Sequence, residues 1–252
     1  MSDLQTFADM IGGAKRLVVL TGAGMSQESG IPTFRDALEG LWAQYDPMEL
    51  ATPDAFANNP KLVWDWYQFR REIVNKTTPN PGHYALVELE ALLPQVIIIT
   101  QNVDGFHQLV GSRDVICLHG NIQQDKCAGN CQGDPTIVDS SQLTWDDAPP
   151  LCPHCNRNYL RPNVVWFREL LPTAELERAQ QVCLEADVML VIGTSGVVYP
   201  AAQLPFLAYR SGAKVLEINP SRSTISEIAE IRVAGGSGEA LPQVVKLIRE
   251  KA

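Results

Sequence analysis

Four cysteines have the spacing of a metal site. Cys127 and Cys131 have three residues between them, Cys152 and Cys155 have two, and twenty residues separate the pairs. Two close pairs joined by a loop can converge on one tetrahedral ion, each pair supplying two thiolates, and zinc is the ion that suits such a set. With four protein ligands the site is closed to water, so its expected role is structural. The first spacing is one residue longer than a Cys-x-x-Cys knuckle. Cys117 and Cys183 fall in apolar contexts and read as core.

A second constellation follows short apolar runs. Arg16–Leu20 (RLVVL) leads into Thr21-Gly22-Ala23-Gly24-Met25-Ser26. Glycines directly after a first strand allow a pyrophosphate to approach the backbone, and a following helix N-terminus adds N–H donors. The third glycine of a dinucleotide fingerprint is missing, since Gln27 holds its place and the next glycine is Gly30. The pattern alone fits either nucleotide binding or an ordinary tight strand–helix turn. Gln101, Asn102 and Asp104 follow Gln95–Thr100 (QVIIIT), and His119 follows Val115–Leu118 (VICL). Amides and a carboxylate suit hydrogen bonds to a carboxamide and to ribose hydroxyls, and an imidazole suits proton removal near neutral pH. Taken alone, His119 reads more readily as a helix-cap or core histidine.

The elements that must position these groups read as α/β. Near-continuous β-branched runs, including Asp187–Ile192 (DVMLVI) and Lys214–Ile218 (KVLEI), suit parallel strands covered on both faces. His83–Leu93, Ala174–Glu185 and Leu241–Glu250 carry apolar residues at helical spacing. The expected fold is a doubly wound parallel (Rossmann-like) sheet built from residues 1–35, 79–120 and 162–252. Residues 36–78, with Trp42, Trp64 and Trp66, form a helical insertion, and residues 121–161 a zinc-ribbon insertion. Together they make a smaller zinc-binding and helical lobe, with a ligand cleft against the sheet.

Composition narrows the classes. Among 252 residues, 45% are hydrophobic and 19% charged, as in a globular chain, and 29 acids against 20 bases give a net charge of −9. Binding to nucleic acid or to an anionic membrane is not expected, because each needs a basic footprint. No apolar run reaches the roughly 18 residues of a membrane span. Met1–Ile11 carries Asp3 and Asp9 and no apolar core, so a cytoplasmic chain with reduced or metal-bound cysteines is expected.

The whole stretch Gly22 to Arg35 (GAGMSQESGIPTFR) closely resembles the signature of the sirtuins, NAD-dependent protein-lysine deacylases. The resemblance continues at Thr100–His107 (TQNVDGFH), Leu118-His119-Gly120, Gly193-Thr194-Ser195 and Ile218-Asn219, in the family's order. It implies catalytic roles for His119, as general base, and for Asn102, in the nicotinamide pocket beside Val103 and Asp104. Gln101 would hold the ribose, and Gly22, Ala23, Gly24, Ser26, Ser29, Phe34 and Arg35 would surround NAD+. Gly193, Thr194, Ser195, Asn219 and Ser237 would meet its phosphate, ribose and adenine. By the same implication, the acyl oxygen of a substrate lysine attacks the nicotinamide ribose and nicotinamide leaves. The acyl group ends on the ribose as O-acyl-ADP-ribose. Partners would be acylated lysine-containing proteins or peptides. A sirtuin-like ADP-ribosyltransferase and a non-catalytic NAD-sensing module are the competing readings.

The acyl chain has its own signal. Tyr67 and Arg70, three apart in a segment expected to be helical, lie on one face. Arg offers a fork to a carboxylate and Tyr a hydroxyl donor. Spacing alone fits an aromatic core helix whose Arg faces solvent. The pair resembles the Tyr-x-x-Arg motif of class III sirtuins, which implies preference for succinyl or malonyl groups over acetyl. Leu50-Ala51-Thr52-Pro53 and Val164-Val165-Trp166-Phe167 resemble the same class, with Val165, Trp166, Phe167 and Val197 as substrate contacts. Arg168 departs from the glycine usual in the family, which bears on how a peptide would add to this strand.

Overall fold

Near-continuous apolar strands need cover on both sides, and the chain supplies it. The computed structural model describes residues 3–31 and 46–251. Phe34, Arg35 and Trp42 lie outside them. Six parallel strands form the main sheet: β1 (Leu17–Thr21), β2 (Val96–Thr100), β3 (Val115–Cys117), β7 (Val188–Ile192), β8 (Lys214–Ile218) and β9 (Ile231–Val233). Their order is β3-β2-β1-β7-β8-β9, the doubly wound arrangement. Side chains alternate between two cores. Leu17, Val19, Ile98, Leu190 and Leu216 pack under α1 (Asp3–Gly12), α6 (Pro81–Leu92) and α10 (Ser237–Arg249). Val18, Leu20, Ile97, Met189 and Val215 pack under α8 (Thr173–Leu184) and α9 (Leu204–Arg210). Each such fully buried side chain contributes about 1.5–3 kcal/mol.

A second sheet of three antiparallel strands, ordered β5-β4-β6, is built from β4 (Gly120–Cys127), β5 (Ile137–Val138) and β6 (Leu160–Val164). Strand β6 crosses the boundary expected at 161/162, because its pairing with β4 continues to Gly120–Val164. One-turn helices α2 (Gly24–Gln27), α3 (Pro47–Leu50) and α7 (Phe106–Leu109), and the short α4 (Pro53–Asn58), lie in the connections that follow β1 and β2.

The long helix α5 (Pro60–Asn75) starts where Asn59 accepts the Leu62 N–H and Pro60 opens the first turn. Trp64 packs beside Cys127, Cys152 and Leu160 in the small sheet. Trp66 and Tyr67 pack instead with Phe106, Ile122 and Trp166. Arg71 binds this helix to β4 through the Asp125 carboxylate (2.5 and 3.2 Å) and the Ile122 carbonyl (2.5 Å). Helix α5 therefore packs against the segment that carries Cys127 and Cys152.

The sequence reading did not anticipate α1 or β9. Strand β9 is three residues long and only partly buried, so it carries no apolar run to detect. No helix among the described residues is long and apolar enough to cross a membrane.

Candidate active site at the carboxyl edge of the sheet

Strand order reverses direction at β1, whose neighbours are β2 on one side and β7 on the other. Ligands of doubly wound sheets sit beyond the strand ends at such a point. Five loops leave the sheet here, beginning with Gly22, Gln101, Leu118, Gly193 and Asn219. A hydrogen bond between the Thr21 and Thr100 hydroxyls (2.8 Å) ties β1 to β2 at the floor. The same Thr21 hydroxyl meets His107 Nε2 at 3.0 Å.

The glycines do something the motif did not convey. A Cβ on Gly24 would lie 2.7 Å from Gly193 Cα, and one on Gly193 (φ 58°) would lie 2.5 Å from the Gly24 carbonyl carbon. Gly24 N–H donates to the Gly193 carbonyl (2.8 Å). These residues let the β1 and β7 loops touch backbone to backbone. The expected helix N-terminus with free donors is a single turn instead. The N–H groups of Gly24, Met25 and Ser26 are all taken within the two loops.

The structure brings Asn102, Ser26 and Asp104 together. Asn102 Nδ2 donates to the Gly22 carbonyl (3.0 Å) and to Ser26 Oγ (3.2 Å). Ser26 Oγ donates to Asp104 Oδ2 (2.8 Å), and Asp104 Oδ1 accepts the Phe106 N–H (2.9 Å). Burial raises the Asp104 carboxyl above its ordinary value, and these hydrogen bonds oppose the rise. Gln101 Nε2 reaches the Thr194 hydroxyl (3.1 Å), and Asn219 Nδ2 reaches the Thr194 carbonyl (2.9 Å). Ala23 is exposed, while Val103, Gly193 and Ser195 are half-buried along the same rim.

His119 is half-buried, and its Nδ1 lies 2.8 Å from the Gln101 carbonyl. A carbonyl only accepts, so Nδ1 carries the proton and the neutral ring keeps its lone pair on Nε2. Burial pulls this imidazole below its ordinary value, with the Gln101 hydrogen bond partly opposing it. Burial is the larger influence, which suits a neutral base at pH 7. Gly120 follows with φ 82°, and a Cβ there would sit 2.1 Å from the Asn163 carbonyl oxygen. Only glycine lets β4 start against β6 directly after the base. The Val165 N–H then closes on the His119 carbonyl (2.9 Å).

Tyr67 and Arg70 share one face of α5, though not as a plain aromatic core beside a solvated Arg. Tyr67 is buried and accepts the Trp166 indole N–H (2.9 Å). Arg70 is half-buried, with its guanidinium carbon 5.4 Å from the Tyr67 ring centroid and 4.9 Å from that of Trp66. Burial lowers the Arg70 pKa from its ordinary value, and neighbouring Tyr67 opposes this. Phe167 N–H donates to the Ala51 carbonyl (2.9 Å), joining the 164–169 segment to the turn between α3 and α4. Val197 is exposed on the loop after β7. Arg168 adopts φ 72°, where glycine is the easy occupant, and its exposed side chain pairs with Asp54 (2.9 Å).

The four Sγ atoms of Cys127, Cys131, Cys152 and Cys155 lie within 4.8 Å of one another. A tetrathiolate zinc with bonds of about 2.3 Å has edges of roughly 3.8 Å. The separations 127–155 (3.9 Å) and 131–152 (3.8 Å) fit that figure. The extra residue in the first pair is absorbed at Asn130 (φ 44°), a residue type that tolerates this region. Cys183 is core, but Cys117 is only half-buried and its sulfur accepts the Gln108 amide (2.8 Å).

Several residues at the site escaped the sequence reading. Glu28 receives the Gly238 N–H (2.7 Å) and the Ser237 hydroxyl (3.2 Å), so buried Ser237 is used to pin α10 to the glycine loop. Asn80 caps α6 and reaches Ser29 Oγ (3.1 Å) and the Met25 carbonyl (2.7 Å). Buried Glu217 takes the hydroxyls of Ser223 and Ser226 and so shapes the loop after Asn219. The Asn-Pro pair at 80–81 and an acid inside an apolar strand were signals open to reading.

A model of the Sir2 family matches residues 22–200, and the chain belongs to that family. It is 48% identical over 244 residues to the NAD-dependent protein deacylase 2 of Pyrobaculum aerophilum, covering 97% of this chain and 95% of that one. It is 45% identical over 248 residues to NAD-dependent protein deacylase 1 of Pseudomonas aeruginosa, covering 96% and 98%. The crystal structure of a Sir2 homologue in complex with NAD superposes with a TM-score of 0.90 at 42% identity, covering 98% of this chain and 94% of that one.

Proposed function

We propose that this chain removes acyl groups from protein lysines at the expense of NAD+, with nicotinamide and O-acyl-ADP-ribose as products. Preference for succinyl or malonyl chains is part of the same reading. The observation that carries it is the His119 hydrogen bond to the Gln101 carbonyl, which leaves Nε2 as a base beside the amide–acid rim. NAD+ supplies the ribose carbon that accepts the acyl oxygen, with nicotinamide as the leaving group. Asn102 and Asp104, locked together through Ser26, hold the carboxamide end of the site, and Gln101 and Thr194 present groups to ribose. His119 removes a ribose hydroxyl proton, so that the ribose oxygen attacks the acyl carbon. Ser195 and Asn219 line the adenosine side, and Val165, Trp166, Phe167 and Val197 the peptide side. The acyl chain runs toward Tyr67 and Arg70.

The four cysteines hold a structural zinc. The division into a sheet domain and a smaller helical and zinc-bearing lobe, with the cleft between them, belongs to this proposal. So do acylated lysine peptides as partners and a cytoplasmic location. Incubation of a succinyl-lysine peptide with NAD+, followed by mass spectrometry, tests the activity. Loss of the succinyl mass with O-succinyl-ADP-ribose is expected, and His119→Tyr should abolish it while zinc is retained. ADP-ribose added to protein, or NAD+ binding without turnover, overturns the reading.

A further inference from the structure

Arg161 was not among the residues picked out by motif, yet it sits at the centre of the segment that joins the base to the acyl-facing helix. It is buried in β6, with a side chain 7% exposed. Its fork reaches both oxygens of Glu169 (2.6 and 2.9 Å), and Nη2 also donates to the Val164 carbonyl (2.8 Å). Glu169 Oε2 accepts the Trp166 backbone N–H (2.8 Å), and the Glu169 N–H returns to the Trp166 carbonyl (3.0 Å). Residues 164–169 are thereby closed around one guanidinium. Its carbon lies 3.2 Å from the Trp166 ring centroid, and its Nε has no hydrogen-bond partner among the described residues. Burial works against ionisation of Glu169, but the Arg161 hydrogen bonds and charge hold it below the ordinary carboxylate range.

Trp166 also meets Tyr67, with ring centroids 6.3 Å apart. An indole N–H can only donate, so the Tyr67 oxygen must accept it. The Tyr67 oxygen is thereby tied to Trp166, with the Arg70 guanidinium carbon 5.4 Å from the Tyr67 ring centroid. We propose that the Arg161–Glu169 pair is a positioning device for acyl selection: it fixes the Trp166 ring, and Trp166 fixes the Tyr67 hydroxyl that ranks acyl chains. The inference rests on the lysine-deacylase reading, but not on which chain is preferred.

The test compares Trp166→Phe, Arg161→Lys and Glu169→Gln with the unaltered enzyme, using one peptide bearing acetyl, propionyl, succinyl or malonyl lysine. The readouts are kcat/KM for each chain, KM for NAD+, zinc content and thermal unfolding. Losing one hydrogen bond of this kind should change the ratio between acyl chains by about tenfold, with KM for NAD+ little altered. Arg161→Met is included as well, and Arg161→Lys, which keeps the charge but loses the fork, should recover part of the ranking lost in Arg161→Met. Should the Arg161 variants not fold, Trp166→Phe, which leaves the ion pair in place, decides the matter. An unchanged acyl ranking in Trp166→Phe, or equal losses on every chain that track unfolding temperature, overturns the proposal. Arg70→Met is run alongside. If it leaves the succinyl-to-acetyl ratio unchanged, the acidic-acyl reading fails, and the Trp166 result still decides the positioning role among the neutral chains.

Discussion

Replacing Arg70 by Met keeps an unbranched apolar stem against Trp66 and Tyr67 and removes only the guanidinium. In the native helix that cation is half-buried and incompletely hydrated, as its lowered pKa reflects. A succinyl carboxylate reaching it would add an oppositely charged partner. At an effective dielectric constant of about 20, unit charges some 3.5 Å apart attract by about 5 kcal/mol, before the cost of dehydrating the carboxylate. The net worth of a charge-assisted hydrogen bond is about 1.5–3 kcal/mol, or roughly ten- to 150-fold in kcat/KM. An acetyl group offers no such charge, so its kcat/KM should stay within about threefold. The assay uses one peptide in succinylated and acetylated forms, with the deacylated product followed by chromatography and unfolding temperatures measured in parallel. Arg70→Lys should fall between, since an ammonium lacks the planar fork. Equal loss on the two substrates would show that Arg70 holds the helix rather than the acyl chain, and would refute the argument.

Three other outcomes are expected. His83 and His107 lie with ring centroids 5.1 Å apart, and burial pushes them down to about 4 and about 3, with His83 adding to the effect on His107. Unfolded imidazoles take up protons below about pH 6.5 while the folded pair does not, so this stability is present above pH 6.5 and is lost as pH falls toward 3. Each group contributes a slope of up to about 1.4 kcal/mol per pH unit in its window. His83→Gln should flatten the urea midpoint against pH between 6.5 and 4; an unaltered slope would exclude the pair as its source. At position 168 the left-handed backbone costs a residue other than glycine about 1–2 kcal/mol, and an exposed pair such as that with Asp54 returns at most about 1 kcal/mol. Allowing for the greater freedom of glycine when unfolded, Arg168→Gly should be more stable than Arg168→Ala by about 0.5–1 kcal/mol. Chemical denaturation with Ala equal or superior would contradict the backbone argument. Cys152→Ser should lose its zinc by elemental analysis and alter the fluorescence of Trp64, which packs beside Cys127 and Cys152. Full zinc content in that variant would remove Cys152 from the ligand set.

The match between sequence and structure differs by element. The strands VIIIT and VMLVI were legible because a fully covered parallel strand must be apolar on both faces, and their runs say so locally. The cysteine pairs were legible because ligand spacing is itself local. So was the place of Gln101, Asn102 and His119, since a residue just past a parallel strand lies at the carboxyl rim. The start of α5 at Asn59 and Pro60 was open to the same kind of reading.

Other features had no local trace. Arg161 and Glu169, eight residues apart, meet only because the 164–169 segment folds back on β6. Glu28 and Ser237, 209 residues apart, meet only after α10 docks beside the glycine loop. The small size of Gly24 and Gly193 is a demand that each loop makes on the other. Composition and spacing thus determined the layers, the cysteine pairs and the edge at which the polar groups gather, because these depend on periodicity and on neighbours in the chain. Only the tertiary structure decided which lone pair His119 exposes and what holds Tyr67, because a hydrogen bond between distant segments exists only once both backbones are in register.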